Sequence, residues 1–304
     1  MSTAYTQPWS LISYRDGDAA SAAVLLRDGT VVAPPELKQW DTMLDLLDDW
    51  EAAEPVLRQL RFEGAPSVAA EELLAPLRYP RKLICAGVNY RRHIREMGAE
   101  VPAEGWRPFF FLKPPTTTIV GPDDPIVVHD PELARYDWEA ELAVVIGRGG
   151  RAIPAADALG HVAAYAVAND VTARARHERT VVPGAPFRYD WVASKAIDSS
   201  FPMGPGLTPA FFVPEPQDLR MQLWVNGELQ QDETTGDMIC TVAELIAEAS
   251  QVMTLQPGDV IATGTPSGVG APRGRYLRHG DVVRVAIDGL GAIQNTVYEP
   301  GAEA

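Results

Sequence analysis

The amino-acid sequence predicts an α+β fold that is mostly β. Short runs rich in β-branched residues alternate with Gly/Pro turns, and few segments have the apolar spacing of a helix. The length of 304 residues and the 46% hydrophobic composition allow one large domain with a smaller appendage. We therefore expect a small N-terminal β-rich domain at residues 1–78 and a larger domain at residues 79–304.

The N-terminal segment has the pattern of a β-meander followed by a helix. Strands are predicted at residues 9–14 and 22–26, and residues 27–30 form a tight hairpin turn into a third strand at 31–32. Apolar residues at helical spacing then predict one amphipathic helix over residues 40–53.

Two proline-bounded features should end this segment. Pro55 is expected to terminate the helix, because proline lacks an amide donor and its ring clashes with the preceding turn. Residues 76–80 begin and end with proline and are predicted to be the linker between the two domains.

The larger domain reads as a series of short strands. Residues 84–90 are a strand running into a turn, and residues 91–98 are helix-forming. A second helix is predicted at 242–253. Further strands are predicted at 118–120, 125–128, 142–146, 219–225, 260–263 and 282–287.

Charge and cysteine usage limit the partners and the compartment. The formal charge of −15, from 41 acidic and 26 basic residues, argues against nucleic acid or an anionic membrane as a partner. Cys85 and Cys240 are far apart, which argues against a disulfide framework or a paired zinc motif. Residues 1–9 lack a targeting pattern, and no apolar run approaches the ~20 residues of a membrane helix. We expect a soluble cytoplasmic protein with a small-molecule substrate.

Acidic residues beside strand-forming runs predict a metal site. Glu139 and Glu141 are two residues apart at the start of an apolar run, so on a strand their side chains leave the same face. Asn169 and Asp170 form a second polar pair of this kind. Clustered carboxylates need a neutralising cation, and oxygen-only ligands suit Mg²⁺, Mn²⁺ or Ca²⁺. The alternative is a solvated edge strand.

A histidine and a glutamate form a candidate acid–base pair. His93 and Glu96 are three residues apart and share a face if their segment is helical. The carboxylate could then orient the imidazole of a general base that activates water. The alternative is an ordinary surface pair.

Several sequence blocks follow one another across about residues 80–300. They are GVNY at 87–90 with His93 and Glu96, FFLKP at 110–114, YDWEAEL at 136–142, NDVTAR at 169–174, SKAID at 194–198, WVNGE at 224–228, and PGDVIATGTPSGVG at 257–270. The set, in this order, is similar to the fumarylacetoacetate hydrolase family.

This resemblance implies a mixed β-roll catalytic domain, a homodimer and a divalent metal, Mg²⁺ or Mn²⁺ with Ca²⁺ as a further choice. The implied metal ligands are Glu139, Glu141 and Asp170. The implied catalytic residues are His93, Glu96 and Lys195, where the lysine stabilises a developing enolate. The implied substrate-binding residues are Arg174, His177, Thr265, Tyr90 and Lys113.

The implied function is metal-dependent hydrolysis of a C–C bond in a 2,4-dioxo acid of the acylpyruvate or fumarylpyruvate type. The enolate would be held by the metal and Lys195, and His93 with Glu96 would activate water. One alternative is a decarboxylase or isomerase of 2-oxo or 2-hydroxy-dienoate acids that uses the same metal. A third interpretation is a non-catalytic binding protein that kept the fold.

Two departures from the family pattern concern the substrate. Ala175 and His177 stand where many members have an acid and a glutamine. His177 could bind a substrate carboxylate, take part in acid–base chemistry, or only line the pocket. The long stretch 178–191 contains three aromatic residues and is predicted to form a lid or pocket wall for a bulkier or partly apolar substrate.

Overall fold

The computed structural model describes residues 9–69, 73–103 and 105–302. The strands of these residues are β1 (Trp9–Asp16), β2 (Ala19–Leu26), β3 (Val31–Val32), β4 (Leu73–Leu74), β5 (Leu83–Gly87), β6 (Phe109–Lys113), β7 (Ile119–Val120), β8 (Ile126–Val127), β9 (Tyr136–Asp137), β10 (Ala140–Ile146), β11 (Val162–Asn169), β12 (Thr172–Ala173), β13 (Phe201–Pro209), β14 (Arg220–Val225), β15 (Glu228–Thr234), β16 (Val260–Ala262), β17 (Val282–Ile287) and β18 (Gly291–Tyr298). The helices are α1 (Met43–Asp48), α2 (Trp50–Leu57), α3 (Arg91–Glu96), α4 (Pro131–Ala134), α5 (Trp191–Lys195) and α6 (Val242–Val252). None of them has the length and apolar character of a membrane span.

Two sheets form the body of the fold. An 11-stranded mixed sheet has the order β3-β2-β1-β13-β11-β10-β16-β5-β6, with β4 added on β1 and β7 on β13. A five-stranded sheet has the order β15-β14-β17-β18-β8, and β9 pairs with β12. The predicted α+β, mostly β, architecture is confirmed.

Strand β10 lies at the centre of the packing, and its two faces enter different hydrophobic cores. Leu142 and Val144 belong to the core that also contains residues of the five-stranded sheet, such as Leu223. Ala143 and Val145 belong to the core covered by α1 and α2. Successive strand residues point to opposite faces, so a strand covered on both sides is apolar along most of its length, and in β10 the exception is Glu141, at the end that carries acidic residues.

The large sheet is curled. Lys113, at the end of β6, bonds to Asp170, which directly follows β11, although β6 and β11 are four strand positions apart. Neighbouring strands are about 4.8 Å apart, so a flat sheet would separate these residues by roughly 19 Å, beyond the reach of a lysine. The predicted roll therefore brings the edge strand back to the centre of the site.

The helical prediction for residues 40–53 is wrong in its bounds. The segment forms two helices, α1 and α2, separated at Asp49, whose φ of −102° and ψ of 34° depart from helical values. Pro55 lies inside α2 and does not end it. A proline removes a single amide donor, and the next turn still closes through the Arg58 N–H and the Glu54 carbonyl, 3.0 Å apart.

Most predicted strands are present with shifted ends. Several other strands could not be predicted from their own residues. Strand β13 contains three prolines counting its last residue, and two glycines, a composition typical of turns. Strand β15 is largely polar. These segments pair because their neighbours in the sheets supply hydrogen-bond partners and packing, which outweigh local propensity.

The N-terminal segment and the larger domain share one sheet and one core. Strand β1 pairs with β13 at Leu11 and Leu207, and the core that contains Leu47 and Trp50 also contains Val145. The segment 76–80 is irregular, as expected for a linker. The division into domains at residues 78 and 79 stays a prediction.

We expect Leu47→Ala to lower the free energy of unfolding of the whole chain by about 2–5 kcal/mol, because Leu47 is fully buried in the shared core. Urea unfolding, followed by far-UV circular dichroism and by tryptophan fluorescence, measures this change. Leu133→Ala is the control, since Leu133 is 75% exposed. An early transition confined to the N-terminal segment would show instead that it unfolds independently.

Candidate metal centre and active site

The acidic residues meet where neighbouring strands of the large sheet begin and end. Ala140, the first residue of β10, is paired with Asn169, the last residue of β11. Glu139 and Asp170 are therefore brought together by the register of this antiparallel pair. The amide of Gly264, just after β16, donates to Glu141 Oε2 at 2.8 Å. Three chain segments thus converge on one end of the sheet.

The predicted ligand residues form one buried cluster. Glu139, Glu141 and Asp170 each offer a carboxylate oxygen, and these oxygens all lie within 4.8 Å of one another. Two oxygens on opposite sides of Mg²⁺ are about 4.2 Å apart, and on opposite sides of Ca²⁺ about 5 Å apart. The donor set consists of oxygen alone, so it fits a hard divalent ion.

Two lysines contact the cluster from opposite sides. Lys195 Nζ lies 2.8 Å from Glu139 Oε2 and 2.6 Å from Asp170 Oδ2. Lys113 Nζ lies 2.6 Å from Asp170 Oδ1 and also donates to the carbonyls of Val171 and Ser200, at 3.2 and 2.9 Å. Lys113 therefore has an acceptor for each of its three N–H groups.

Lys113 was predicted to bind substrate, and that role stays untested. Its three acceptors are all protein atoms, and the residue is 1% exposed. In this arrangement the lysine orients Asp170 by holding Oδ1, while Oδ2 faces Lys195.

The charges of the cluster set the protonation of its acids. Although burial raises it, the positive charges of Lys195 and Arg174 bring the pKa of Glu139 to about 2. Burial first, and then the negative charges of Asp170 and Glu139, raise the pKa of Glu141 well above its ordinary value. Of the three clustered acids, Glu141 has the fewest contacts with lysine or arginine. A metal ion bound by the three carboxylates would favour the ionised form of Glu141.

Arg174 and Asp137 form a second layer around Glu139. Arg174 Nε donates to Asp137 Oδ2 at 2.8 Å, and its Nη2 lies 2.8 Å from Glu139 Oε1. The amides of Gly270 and Ala271 donate to Asp137 at 2.7 and 3.0 Å. Arg174 was predicted to grip substrate oxygens; here it is bonded to acids at the edge of the cluster.

One loop, residues 264–271, holds three carboxylates through its backbone amides. Its amides bond Glu141 at the cluster, Asp137 in the second layer, and Glu96 of α3. Gly268 has a φ of +101°, and a Cβ there would lie 2.1 Å from the Gln230 carbonyl oxygen. A side chain at this position would therefore displace the loop.

The predicted acid–base pair is formed on α3. His93 Nδ1 lies 3.2 Å from Glu96 Oε2, and both residues are largely buried. Burial acts to raise the pKa of Glu96, but the His93 contact and the Gly268 amide lower it below its ordinary value. An ionised Glu96 favours the His93 tautomer that carries its hydrogen on Nδ1 and its lone pair on Nε2.

Helix α3 is anchored to the segment that precedes α6. Arg92 bonds Glu233 at 2.6 Å, and its amide donates to Asp237. The side chain of Asn89 bonds Cys240 and the carbonyl of Thr263. His93 and Glu96 are therefore held next to the 264–271 loop, which also bonds Glu141.

The remaining predicted substrate residues lie in different settings. Tyr90 is fully buried, and burial followed by the charge of Glu141 raises its pKa well above the ordinary value. Thr265 Oγ1 accepts from Gln231 Nε2 at 2.9 Å within the 264–271 loop. His177 Nδ1 lies 3.0 Å from Ser194 Oγ, beside Lys195 in sequence.

Two residues of the site were missed in the sequence. Asp137 lies inside the block 136–142 but was not singled out from its acidic neighbours. Gln231 had no local signal, yet its buried amide accepts from the Ala140 N–H and donates to Thr265 and Pro266. It joins the start of β10 to the 264–271 loop, a long-range contact that sequence spacing cannot show.

Comparison with known proteins agrees with this geometry. The sequence model described as fumarylacetoacetate (FAA) hydrolase C-terminal matches residues 82–298. The chain belongs to the fumarylacetoacetate hydrolase family. It is 40% identical over 264 residues to a Bos taurus protein named oxaloacetate tautomerase FAHD2B, mitochondrial, covering 84% of this chain and 79% of that one.

Solved structures resemble this chain over 95% of its length. A structure described as a putative HpcE protein from Mycobacterium smegmatis has a TM-score of 0.81 and 32% identity, covering 95% of this chain and 99% of that one. Maleylpyruvate hydrolase from Sphingobium sp. SYK-6, in complex with manganese (II) ion and pyruvate, has a TM-score of 0.74 and 32% identity at the same coverages.

We expect Glu141→Gln to weaken Mn²⁺ binding by at least about 100-fold, because a ligand carboxylate is replaced by a neutral amide. Isothermal titration calorimetry of the purified protein with Mn²⁺ measures the change. Glu132→Gln, at an exposed position outside the cluster, is the matched control. Unchanged Mn²⁺ affinity in Glu141→Gln would remove Glu141 from the ligand set.

We expect Lys113→Met to lower the free energy of unfolding by about 3–5 kcal/mol, because it leaves the buried Asp170 without one of its cationic partners. Urea unfolding measures the loss, and added Mn²⁺ should restore part of it by neutralising the acids. Lys38→Met, on the exposed surface, should change little. A Lys113→Met protein as stable as the parent would contradict the orienting role.

Proposed function

We propose that this family member is a divalent-metal-dependent enzyme that interconverts the keto and enol forms of a 2-oxo acid. The observation that carries the proposal is the contact between buried His93 and half-buried Glu96, a pair that the 264–271 loop joins to the acidic cluster and its lysine. A base, an anion-stabilising cation and a metal-ligand set are groups that together can catalyse enolisation.

In the proposed reaction, His93 moves the proton and Glu96 supports it. The neutral Nε2 of His93 takes a proton from the carbon next to the ketone, and Glu96 stabilises the imidazolium that forms. The electron pair of the broken C–H bond forms the C=C bond, and negative charge moves to the carbonyl oxygen. The imidazolium then returns a proton to that oxygen, which gives the enol.

The cationic side chains stabilise the charge that develops. Lys195 is buried, and although burial acts to lower its pKa, Asp170 and Glu139 raise it above the ordinary value, so it stays positive. A bound divalent ion would supply Lewis-acid polarisation of the substrate oxygens. Arg174, at the edge of the cluster, adds a further positive charge for an acid substrate.

The relatives support tautomerisation as the first choice. The bovine relative at 40% identity is named an oxaloacetate tautomerase. Tautomerisation also needs only the pair and the cations, whereas hydrolysis needs in addition a water placed between His93 and the substrate.

Hydrolysis of a 2,4-dioxo acid is the second candidate, as the sequence blocks first implied. It is supported by the likeness to maleylpyruvate hydrolase at 32% identity, and it would use the same pair to activate water. Decarboxylation and isomerisation would also begin with the same enolate chemistry. The homodimer and the cytoplasmic location stay predictions.

We expect His93→Ala to lower kcat for enol–keto conversion by about 10²–10⁴-fold, because the general base is lost. The enol form of oxaloacetate is followed by its ultraviolet absorbance, with Mn²⁺ and with EDTA. His279→Ala, which lies away from the cluster, is the matched control.

The same reactions should be analysed by mass spectrometry, with acylpyruvates added to the panel. A substrate of unchanged mass supports tautomerisation, whereas metal-dependent pyruvate plus a free acid supports hydrolysis. Full activity of His93→Ala in every reaction would refute the assigned base.

A further inference from the structure

A strip of aromatic rings extends outward from Lys195. We call it the aromatic wall, and it consists of Phe109, Phe111, His177, Tyr189 and Trp191. Lys195 Nζ lies 5.2 Å from the centre of the Phe111 ring, and Phe111 stacks on Trp191 at 4.8 Å. Trp191 contacts His177 edge-on at 4.4 Å, and His177 stacks on Tyr189 at 5.2 Å. The wall thus connects the buried cation to a partly exposed imidazole.

Three of the five wall residues lie on the segment 177–191, whose two ends are paired by backbone hydrogen bonds, and we call this segment the ribbon. The Asp190 amide donates to the His177 carbonyl at 2.8 Å, and the Arg179 amide donates to the Arg188 carbonyl at 2.8 Å. Tyr189 is nonetheless 55% exposed. An aromatic side chain that stacks on a neighbouring ring but is open to solvent is available to pack against a ligand.

The surroundings of Ser194 indicate the tautomer of His177. A serine hydroxyl has one hydrogen, and Ser194 Oγ has two carbonyl acceptors for it, Asp190 at 3.0 Å and Trp191 at 3.3 Å. We therefore assign Ser194 Oγ as the acceptor of the hydrogen bond to His177 Nδ1, at 3.0 Å. Nδ1 therefore carries the hydrogen, and Nε2 has a lone pair, for which the described residues provide no hydrogen-bond donor.

The charge state of His177 agrees with this assignment. Burial first, and then the positive charges of Arg174 and Lys195, lower the pKa of His177 below its ordinary value. The imidazole is therefore neutral near pH 7, and Nε2 acts as a hydrogen-bond acceptor. A neutral acceptor pairs with an O–H or N–H group and offers nothing to a carboxylate.

We propose that His177 is a specificity-determining residue that accepts a hydrogen bond at Nε2 from an O–H or N–H group of the substrate, while the aromatic wall packs against a planar conjugated or aromatic substituent. The preferred substrate is then an aromatic or conjugated 2-oxo acid that carries a donor on the end remote from the 2-oxo acid group. This inference rests on the proposed function, because it places the 2-oxo acid group at the acidic cluster and Lys195.

Three 2-oxo acids test the preference through kcat/KM for tautomerisation. They are 4-hydroxyphenylpyruvate, which has a ring and a donor, phenylpyruvate, which has a ring alone, and oxaloacetate, which has neither. We expect the hydroxylated compound to exceed phenylpyruvate by about tenfold, the worth of one hydrogen bond of about 1.4 kcal/mol.

His177→Phe should reduce this ratio to about one, because phenylalanine keeps the ring packing on Tyr189 and Trp191 but has no acceptor. His177→Gln should restore part of the ratio, since its amide oxygen is an acceptor on a side chain of similar reach. His161→Phe is the matched control, because His161 also bonds through Nδ1 but lies outside the wall. A ratio near one in the parent protein, or a tenfold ratio that survives in His177→Phe, would overturn the proposal.

Binding without turnover separates this proposal from the proposed function. Phenylglyoxylate and 4-hydroxyphenylglyoxylate are 2-oxo acids without a hydrogen on the carbon next to the ketone, so they bind but cannot enolise. Calorimetry with the Mn²⁺-loaded protein should show tighter binding of the hydroxylated compound, lost in His177→Phe. If this preference appears while no 2-oxo acid is enolised, the recognition stands and the proposed reaction fails; equal binding of the two compounds to the parent protein refutes the recognition.

Discussion

The burial of acidic groups is the constraint on which the rest of the site depends. Asp137, Glu139, Glu141 and Asp170 are all within the protein interior, and Lys113, Lys195 and Arg174 are the cations that contact them. An unpaired buried carboxylate costs several kcal/mol, so each acid needs a lysine, an arginine, a backbone amide or a metal. Four ionised acids would face three positive charges, and this imbalance is one reason why the pKa of Glu141 is raised and a cation is expected beside it.

Besides these cations, the fold holds acids with backbone groups. The 264–271 loop directs its amides at acids from three different elements, and Gln231 ties the same loop to the start of β10. Backbone amides have fixed positions once the loop is formed, so the acids are held before any ligand binds. The positive φ of Gly264 and Gly268 is the local requirement for this loop.

The sequence predicts the site residues that are placed by local spacing better than the contacts that join distant parts of the chain. Glu139, Glu141 and His93 could be found because period-two and period-three spacings on regular elements place their side chains together. Gln231 and the contact from Lys113 to Asp170 could not, because they depend on sheet register and curvature across long sequence separations. Strand β13 could not be predicted for a related reason. Its prolines and glycines are typical of turns, and it forms a strand because it pairs with β11 and β1.

The groups assigned to the reaction and the groups assigned to substrate selection lie on different elements of the fold. The acids and Lys195 are held by the ends of β10, β11 and β16 and by α5, inside the hydrophobic core that makes the fold stable. The aromatic wall combines an edge strand, β6, with the ribbon around Tyr189, where side chains are exposed and substitution costs little stability. His177 lies between the two, linked to α5 by Ser194 and to the ribbon by Tyr189. Under the proposed function, a change in this segment would therefore redirect the enzyme to another 2-oxo acid while leaving the groups assigned to enolisation in place.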